Sequence, residues 1–281
     1  MTEERTPPLL YVYAVLDEDA AAAAHATGVR GVGGGPVEVL RHAGLAALVG
    51  PVPHTEFDEE PLRRNLEDLD WLERTARAHQ GVVARAARRA DVLPLRMTTV
   101  CRGEAGVRRL LAEGRARFAA ALEALSGRVE WGVKVFAATP APGTPRADSP
   151  RTGGRSAPAA GAGRAYLRQR SGARREAEAH AARADACAHE VHDALAALAE
   201  RTRLYRPQHP QLSGTTAENL LNAAYLVPER HSEAFAERVG KLAEREPAVR
   251  IELTGPWAPY SFADAVADAG TEGRDDASVR G

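Results

Sequence analysis

Lysine is nearly missing from this chain: only Lys134 and Lys241 occur, and every other basic side chain is arginine or histidine. With the alanine excess, that bias reads as a GC-rich coding sequence before it reads as a function. An excess of charge of either sign is also missing, since 37 basic and 38 acidic residues leave a formal net charge of -1. No long-range field then draws in a polyanion, which argues against nucleic acid as a partner of the whole chain. Cysteine is limited to Cys101 and Cys187, too few for a disulfide framework and consistent with reduced thiols in a cytoplasmic protein. No apolar leader is present, and no apolar run approaches the roughly 18 residues of a membrane span. Aromatics make up 5% against 44% hydrophobic residues overall, so alanine fills much of the interior and cores are small. The 281 residues suffice for two domains at about 150 residues each.

The usual signatures of catalysis and cofactor binding are missing too. Gly31, Gly33, Gly34 and Gly35 lead into a strand with no following lysine and Ser or Thr, which predicts a turn and not a phosphate loop. Ser213 lacks the flanking glycines of a nucleophile elbow. In the CAHEVH stretch, Cys187, His189 and His192 share a predicted helix, but no further ligands are evident and a zinc site needs three or four. The spacing is also one residue short of the metalloprotease HExxH pattern. Cys101 neighbours Arg96 and Arg102, which would lower a thiol pKa, but free cysteines are more often inert. No catalytic, cofactor or metal residue is assigned, and the chain is read as a non-enzyme.

Leu9 to Leu16 is a continuous apolar run of β-formers and predicts a buried strand. Val37 to Leu40 and Leu45 to Val49 predict a hairpin ended by Pro51 and Pro53. From Asp58, Leu62, Leu66, Leu69, Leu72 and Ala76 recur at helical spacing, and a second helical stretch covers Val82 to Ala90. Val92 to Val100 returns to strand character. Val107 to Leu125 predicts a helix closed by Gly127 in the left-handed region. Val129, Trp131, Val133 and Val135 alternate with Glu130, Gly132 and Lys134, the period of a half-buried strand. The Pro-, Gly- and Ser-rich residues 138–163 predict a disordered insertion. A long Ala- and Arg-rich helix from Arg164 to Arg201, strands at Thr202 to Arg206 and Asn219 to Val227, a helix from Glu229 to Arg245 and a strand from Val249 follow. That order is β-α-β-β-α-β, the split arrangement of ferredoxin-like domains. The fold class is α+β, with an N-terminal α+β domain over 1–127, a modified ferredoxin-like domain over 128–268 and a disordered tail over 269–281.

Two surfaces suggest binding. Eight arginines and one aspartate between Arg146 and Arg175 form a basic arm, which is either a soluble linker or a dock for an acidic protein surface. Gly255 to Phe262 (GPWAPYSF) sets Trp257, Tyr260 and Phe262 beside two prolines that oppose regular strand continuation. That cluster either plugs the end of a core or presents a rigid aromatic surface.

Six stretches carry a resemblance: YVYAV at Tyr11 to Val15, VLPLRMTTV at Val92 to Val100, EWGVKV at Glu130 to Val135, GRAYL at Gly163 to Leu167, NAAYLV at Asn222 to Val227, and GPWAPYSF at Gly255 to Phe262. In this order they resemble the F/L family of gas vesicle proteins, the large accessory proteins encoded beside a small shell protein. The family usually has Phe-Gly-Thr where this chain has Met97, Thr98 and Thr99, so a glycine is lost. The resemblance implies a two-domain α+β protein with a modified ferredoxin fold. It also implies a cytoplasmic accessory or minor structural protein, associated with gas vesicles and contacting the shell protein and other accessory proteins. As contact residues the reading offers Trp257, Tyr260 and Phe262, with Arg168, Arg170, Arg174 and Arg175 as an electrostatic second site. The alternative is a ferredoxin-like ligand-sensing or regulatory module, which a saturable thermal shift would expose. RNA binding through such a sheet is disfavoured because neither EWGVKV nor NAAYLV carries the aromatic RNP pattern.

Overall fold

The computed structural model describes residues 7–24, 28–138, 160–206 and 217–263. It is α+β. In chain order the elements are β1 (Leu9–Asp17), α1 (Ala21–Ala24), β2 (Glu38–His42), β3 (Leu45–Val52), α2 (His54–Phe57), α3 (Glu59–Asn65), α4 (Leu69–Ala87), β4 (Leu93–Pro94), β5 (Val100–Arg102), α5 (Gly103–Glu113), α6 (Arg115–Leu125), β6 (Arg128–Ala137), α7 (Ala160–Ala196), β7 (Arg201–Leu204), β8 (Asn219–Pro228), α8 (Ser232–Arg245) and β9 (Val249–Trp257). Two compact units result. Among the described residues the first takes those up to Glu130, Leu226–Arg230 and those from Gly255 on, and the second takes Trp131–Tyr225 and His231–Thr254. Residues 139–159 of the insertion expected as disordered, and the whole 269–281 tail, lie outside the described residues.

In the first unit the strands run β2-β3-β1-β4, with β5 also pairing β1. The continuous apolar run becomes the most buried strand, with Tyr11 to Leu16 fully buried. Pro51 does not end the hairpin as expected. It pairs with Leu10 inside β3, and β2 reaches only to Val49, so the N–H that proline lacks costs no ladder bond. The glycines 31–35 form a hydrogen-bonded turn: Gly31 N–H donates to the Gly35 carbonyl at 2.8 Å, and Gly34 sits at φ +75°. The Tyr13 hydroxyl occupies the space a Cβ on Gly31 would need, and it accepts from Val32 N–H at 2.7 Å.

Three sequence expectations change. The helix from Asp58 is two helices, because the Asp68 carboxylate accepts from Asp70 and Trp71 N–H and starts α4 anew. The leucine stripe is then not the buried face: Leu66 and Leu69 are 43% and 79% exposed, while Trp71, Thr75, His79, Val82, Val83 and Ala86 are buried. Val107 to Leu125 breaks at Gly114, where the Phe118 ring fills the site of a Cβ. Gly127 does adopt φ +64°. The strand expected over Val92 to Val100 splits into β4 and β5 around a turn in which Thr98 takes φ +69°.

Thr98 is the position at which the resembled family has glycine. A β-branched residue there costs about 1–2 kcal/mol, against about 0.4–1 kcal/mol that glycine loses through its freer unfolded chain. Thr98→Gly is expected to raise stability by about 0.5–1 kcal/mol, read as a higher urea midpoint. A lower midpoint would mean that the left-handed turn carries no strain.

In the second unit the hydrogen-bonded strand order is β7-β8-β6-β9, and the element order is β6-α7-β7-β8-α8-β9. Both helices lie on the Tyr225 face: the ring of His192 from α7 is 5.9 Å from Tyr225, and Phe235 from α8 is 5.5 Å away. Trp131 stacks on Phe235 at 6.2 Å and donates to Ser232 Oγ at 3.0 Å. Helix α7 as described runs from Ala160, four residues before the expected Arg164. Its first buried side chain among those described is Ala184. Strand β9 continues through Pro256 to Trp257 although two prolines were expected to stop it; it is an edge strand, where a missing N–H faces outward.

Candidate functional site

The segment after β9 belongs to the first unit, and it is held there by burial and by one carboxylate. Phe262 is 2% exposed, Ala258 8% and Ala263 7%. Glu130, read from the alternation as an outward residue of β6, is buried. Its Oε2 accepts from Ser261 N–H at 2.7 Å and its Oε1 from Ser261 Oγ at 2.5 Å. The backbone that follows Trp257 is thus fixed by a charge-assisted pair. No local pattern foretells this, because the partners are 131 residues apart.

Tyr260 enters the core of the first unit. Its ring lies 5.8 Å from His79, whose ring is 5.6 Å from Tyr11 and 5.8 Å from Tyr13. Thr98 N–H donates to the Tyr11 hydroxyl at 2.9 Å. That hydroxyl is hydrogen-bonded to His79 Nδ1, 3.0 Å away. His79 Nε2 is buried without a hydrogen-bond partner among the described residues, and burial alone pushes the pKa of the ring down to about 4. Burial likewise raises the Tyr11, Tyr13 and Tyr260 hydroxyls above their ordinary value. Burial accounts for these shifts without any catalytic arrangement.

Trp257 differs from its neighbours. It is 36% exposed and lines a cavity of about 410 Å³ together with Ala87, Arg88, Leu93, Leu125 and Val129. Asp91 at its edge accepts from Ser126 Oγ at 2.5 Å and from Gly127 N–H at 3.1 Å. Of the three aromatic contact candidates, then, one faces solvent, one is partly buried and one is buried. The three arginines with described side chains, Arg170, Arg174 and Arg175, are exposed on α7, and Arg174 pairs with Glu178 at 2.8 Å. Arg168 lies on α7, but its side chain falls outside the described residues. Trp257 and the α7 arginines belong to different units.

The remaining sequence candidates are occupied by ordinary contacts. Cys187 S–H donates to Glu246 at 3.1 Å, and burial with that carboxylate raises its pKa to about 11. His189 donates to the Asp185 carbonyl at 2.7 Å, and His192 pairs with the Tyr225 hydroxyl at 2.9 Å. No group of three or more metal-ligating side chains occurs among the described residues. At Cys101 desolvation raises the pKa, and the nearby Arg109 offsets only part of this, in keeping with an inert thiol. No helix among the described residues is long and apolar enough to cross a membrane.

The family model for gas vesicle synthesis protein GvpL/GvpF matches residues 9–264. Gas vesicle protein L of Streptomyces sp. (strain CB03234) is 48% identical over 258 residues, covering 92% of this chain and 94% of that protein. Gas vesicle protein F of the same strain is 30% identical over 231 residues, covering 82% and 88%. The crystal structure of the gas vesicle protein GvpF from Anabaena sp. PCC7120 superposes with a TM-score of 0.59 at 20% identity, covering 91% of this chain and 96% of that one. That last likeness speaks for the fold alone. The chain belongs to the GvpL/GvpF family of gas vesicle synthesis proteins and has a role in gas vesicle formation.

Proposed function

We propose that the chain is an assembly adaptor that binds the small shell protein and other vesicle proteins, and that Trp257 is its principal aromatic contact. The observation that carries this reading is the contrast within one segment. Phe262, Ala258 and the Glu130–Ser261 pair hold the backbone rigid, while Trp257 keeps 36% of its surface in solvent beside an apolar cavity. An exposed tryptophan on an immobilised backbone loses little side-chain freedom on binding, which makes it an efficient anchor. Tyr260 and Phe262 take part by holding it. Arg170, Arg174 and Arg175 of α7, with Arg168, supply a second, electrostatic contact.

Shell subunits that polymerise into a gas-tight wall are very apolar and expose aggregation-prone surface beforehand. An adaptor covers that surface and delivers the subunits. We further read the chain as the L-type member, supported by its higher identity to the L than to the F protein of one Streptomyces strain. The second unit is proposed as a modified ferredoxin-like domain; its β-α-β-β-α-β order supports this. The reading assigns no catalytic step and no cofactor, and places the chain in the cytoplasm at the vesicle.

Co-purification with the shell protein tests the contact. Trp257→Ala is expected to cut the shell protein recovered about tenfold, equivalent to about 1.4 kcal/mol, while the variant remains folded at the temperature of the assay. Equal recovery with both chains would remove Trp257 from the interface.

A further inference from the structure

The four-stranded sheet ends on β7, which has β8 as its one strand neighbour among the described residues. All four β7 residues are exposed. Tyr205 N–H donates to the Asn222 carbonyl at 2.8 Å, and this bond fixes which way the strand faces. Peptide groups alternate from side to side along a strand. Those of Arg201 and Arg203 therefore turn toward β8 with that of Tyr205, and those of Thr202 and Leu204 turn away from the sheet. A row of outward N–H and C=O groups is a template for a further strand.

Two features beside this row supply what strand addition needs in the way of side-chain contacts. Leu204 is 60% exposed and Tyr205 39%. A cavity of about 210 Å³ also opens there, bounded by Ala188 and His192 of α7 and by Leu204, Tyr205 and Leu221. Backbone pairing gives affinity and a recess for alternate side chains gives selectivity. Charge decides the occupant. Arg201, Arg203 and Arg206 are all exposed, against two acids, Glu200 just before the strand and Asp185 at the recess, so the balance is basic; the Arg203 guanidinium lies 5.6 Å over the Tyr205 ring. Two such edges from two copies would set arginine against arginine, which opposes self-pairing. An acid-rich strand meets complementary charge.

We propose that β7 is a docking edge for an extended, acidic segment of a partner protein, which adds to the sheet as a fifth strand. The inference rests on the adaptor reading for the kind of partner, while the edge itself is separate from Trp257. The test uses the full chain and a synthetic heptapeptide of alternating glutamate and valine. Saturable binding is expected, with amide exchange of Thr202 and Leu204 slowed about tenfold or more at saturation. Thr202→Pro removes one outward N–H, leaves the bonds to β8 in place and keeps all three arginines. It is expected to weaken peptide binding about tenfold. Leu204→Pro removes the other outward N–H, and the Leu204 side-chain contact with it, if Thr202→Pro disturbs the Tyr205 amide. Binding unchanged by both variants would show that the arginines attract the peptide by charge alone, and would overturn the proposal. No peptide binding, or unslowed Thr202 and Leu204 amides, would overturn it as well. Peptide binding without co-purification of the shell protein would sink the adaptor reading and leave the edge standing; the reverse result would sink the edge alone.

Discussion

Phe262→Ala is expected to destabilise the first unit by about 3–5 kcal/mol, the cost of truncating a fully buried phenylalanine. Trp257→Ala, five positions earlier in the same segment, is expected to cost less, about 1–2 kcal/mol, because the residue keeps 36% of its surface in solvent. The contrast separates the two roles packed into GPWAPYSF. If the segment were only a core plug, both truncations would be costly and neither would act specifically on partner binding. If the whole segment were an external patch, both would be cheap. Urea midpoints of the two variants, followed by a probe of the first unit, decide between these outcomes. Equal costs would contradict the assignment of Phe262 as anchor and Trp257 as contact.

Acidification supplies the other large effect. His79 is 4% exposed, and its folded pKa of about 4 lies below its ordinary 6.5. Between those values the unfolded chain binds a proton that the folded chain refuses, so stability is full above about pH 6.5 and falls as pH drops toward 4. The difference corresponds to at most about 3 kcal/mol. Tyr11, Tyr13 and Tyr260 around the ring do not titrate in that window, because burial holds their hydroxyls above their ordinary value. His79→Phe is therefore expected to lower stability at pH 7, by leaving the buried Tyr11 hydroxyl without its hydrogen-bond partner on the ring, yet to flatten the decline between pH 6.5 and 4. A variant whose stability falls as steeply as wild type over that range would show that the buried imidazole is not what resists acid.

Local pattern carried much of this architecture. The apolar run of β1, the hairpin β2–β3, the alternation of β6 and the glycine-capped end of α6 are short-range signals, and each produced the expected element. The leucine spacing does not mark the buried face of α4, because the four leucines keep helical spacing across the cap at Asp68. Their periodicity ran through a helix start that only the capping bonds mark. Pro51 and Pro256 were read as strand ends because local rules know that proline removes a donor, but not which side of the strand lacks a neighbour. The aromatic site was visible as a concentration of ring side chains beside prolines. What the pattern did not carry was its anchoring, since Glu130 meets Ser261 from 131 residues away. The division of labour among Trp257, Tyr260 and Phe262 follows from that long-range contact and from the Tyr11–His79 cluster beneath Tyr260. The family's lost glycine shows the same limit from the other side: Thr98 keeps the left-handed backbone its surroundings impose.

Light scattering of the small shell protein, diluted from denaturant with and without an equimolar amount of this chain, tests the adaptor account most directly. The account predicts scattering suppressed in proportion to added chain up to a fixed stoichiometry, with suppression weakened by Trp257→Ala. Scattering that rises identically with and without the chain would contradict it.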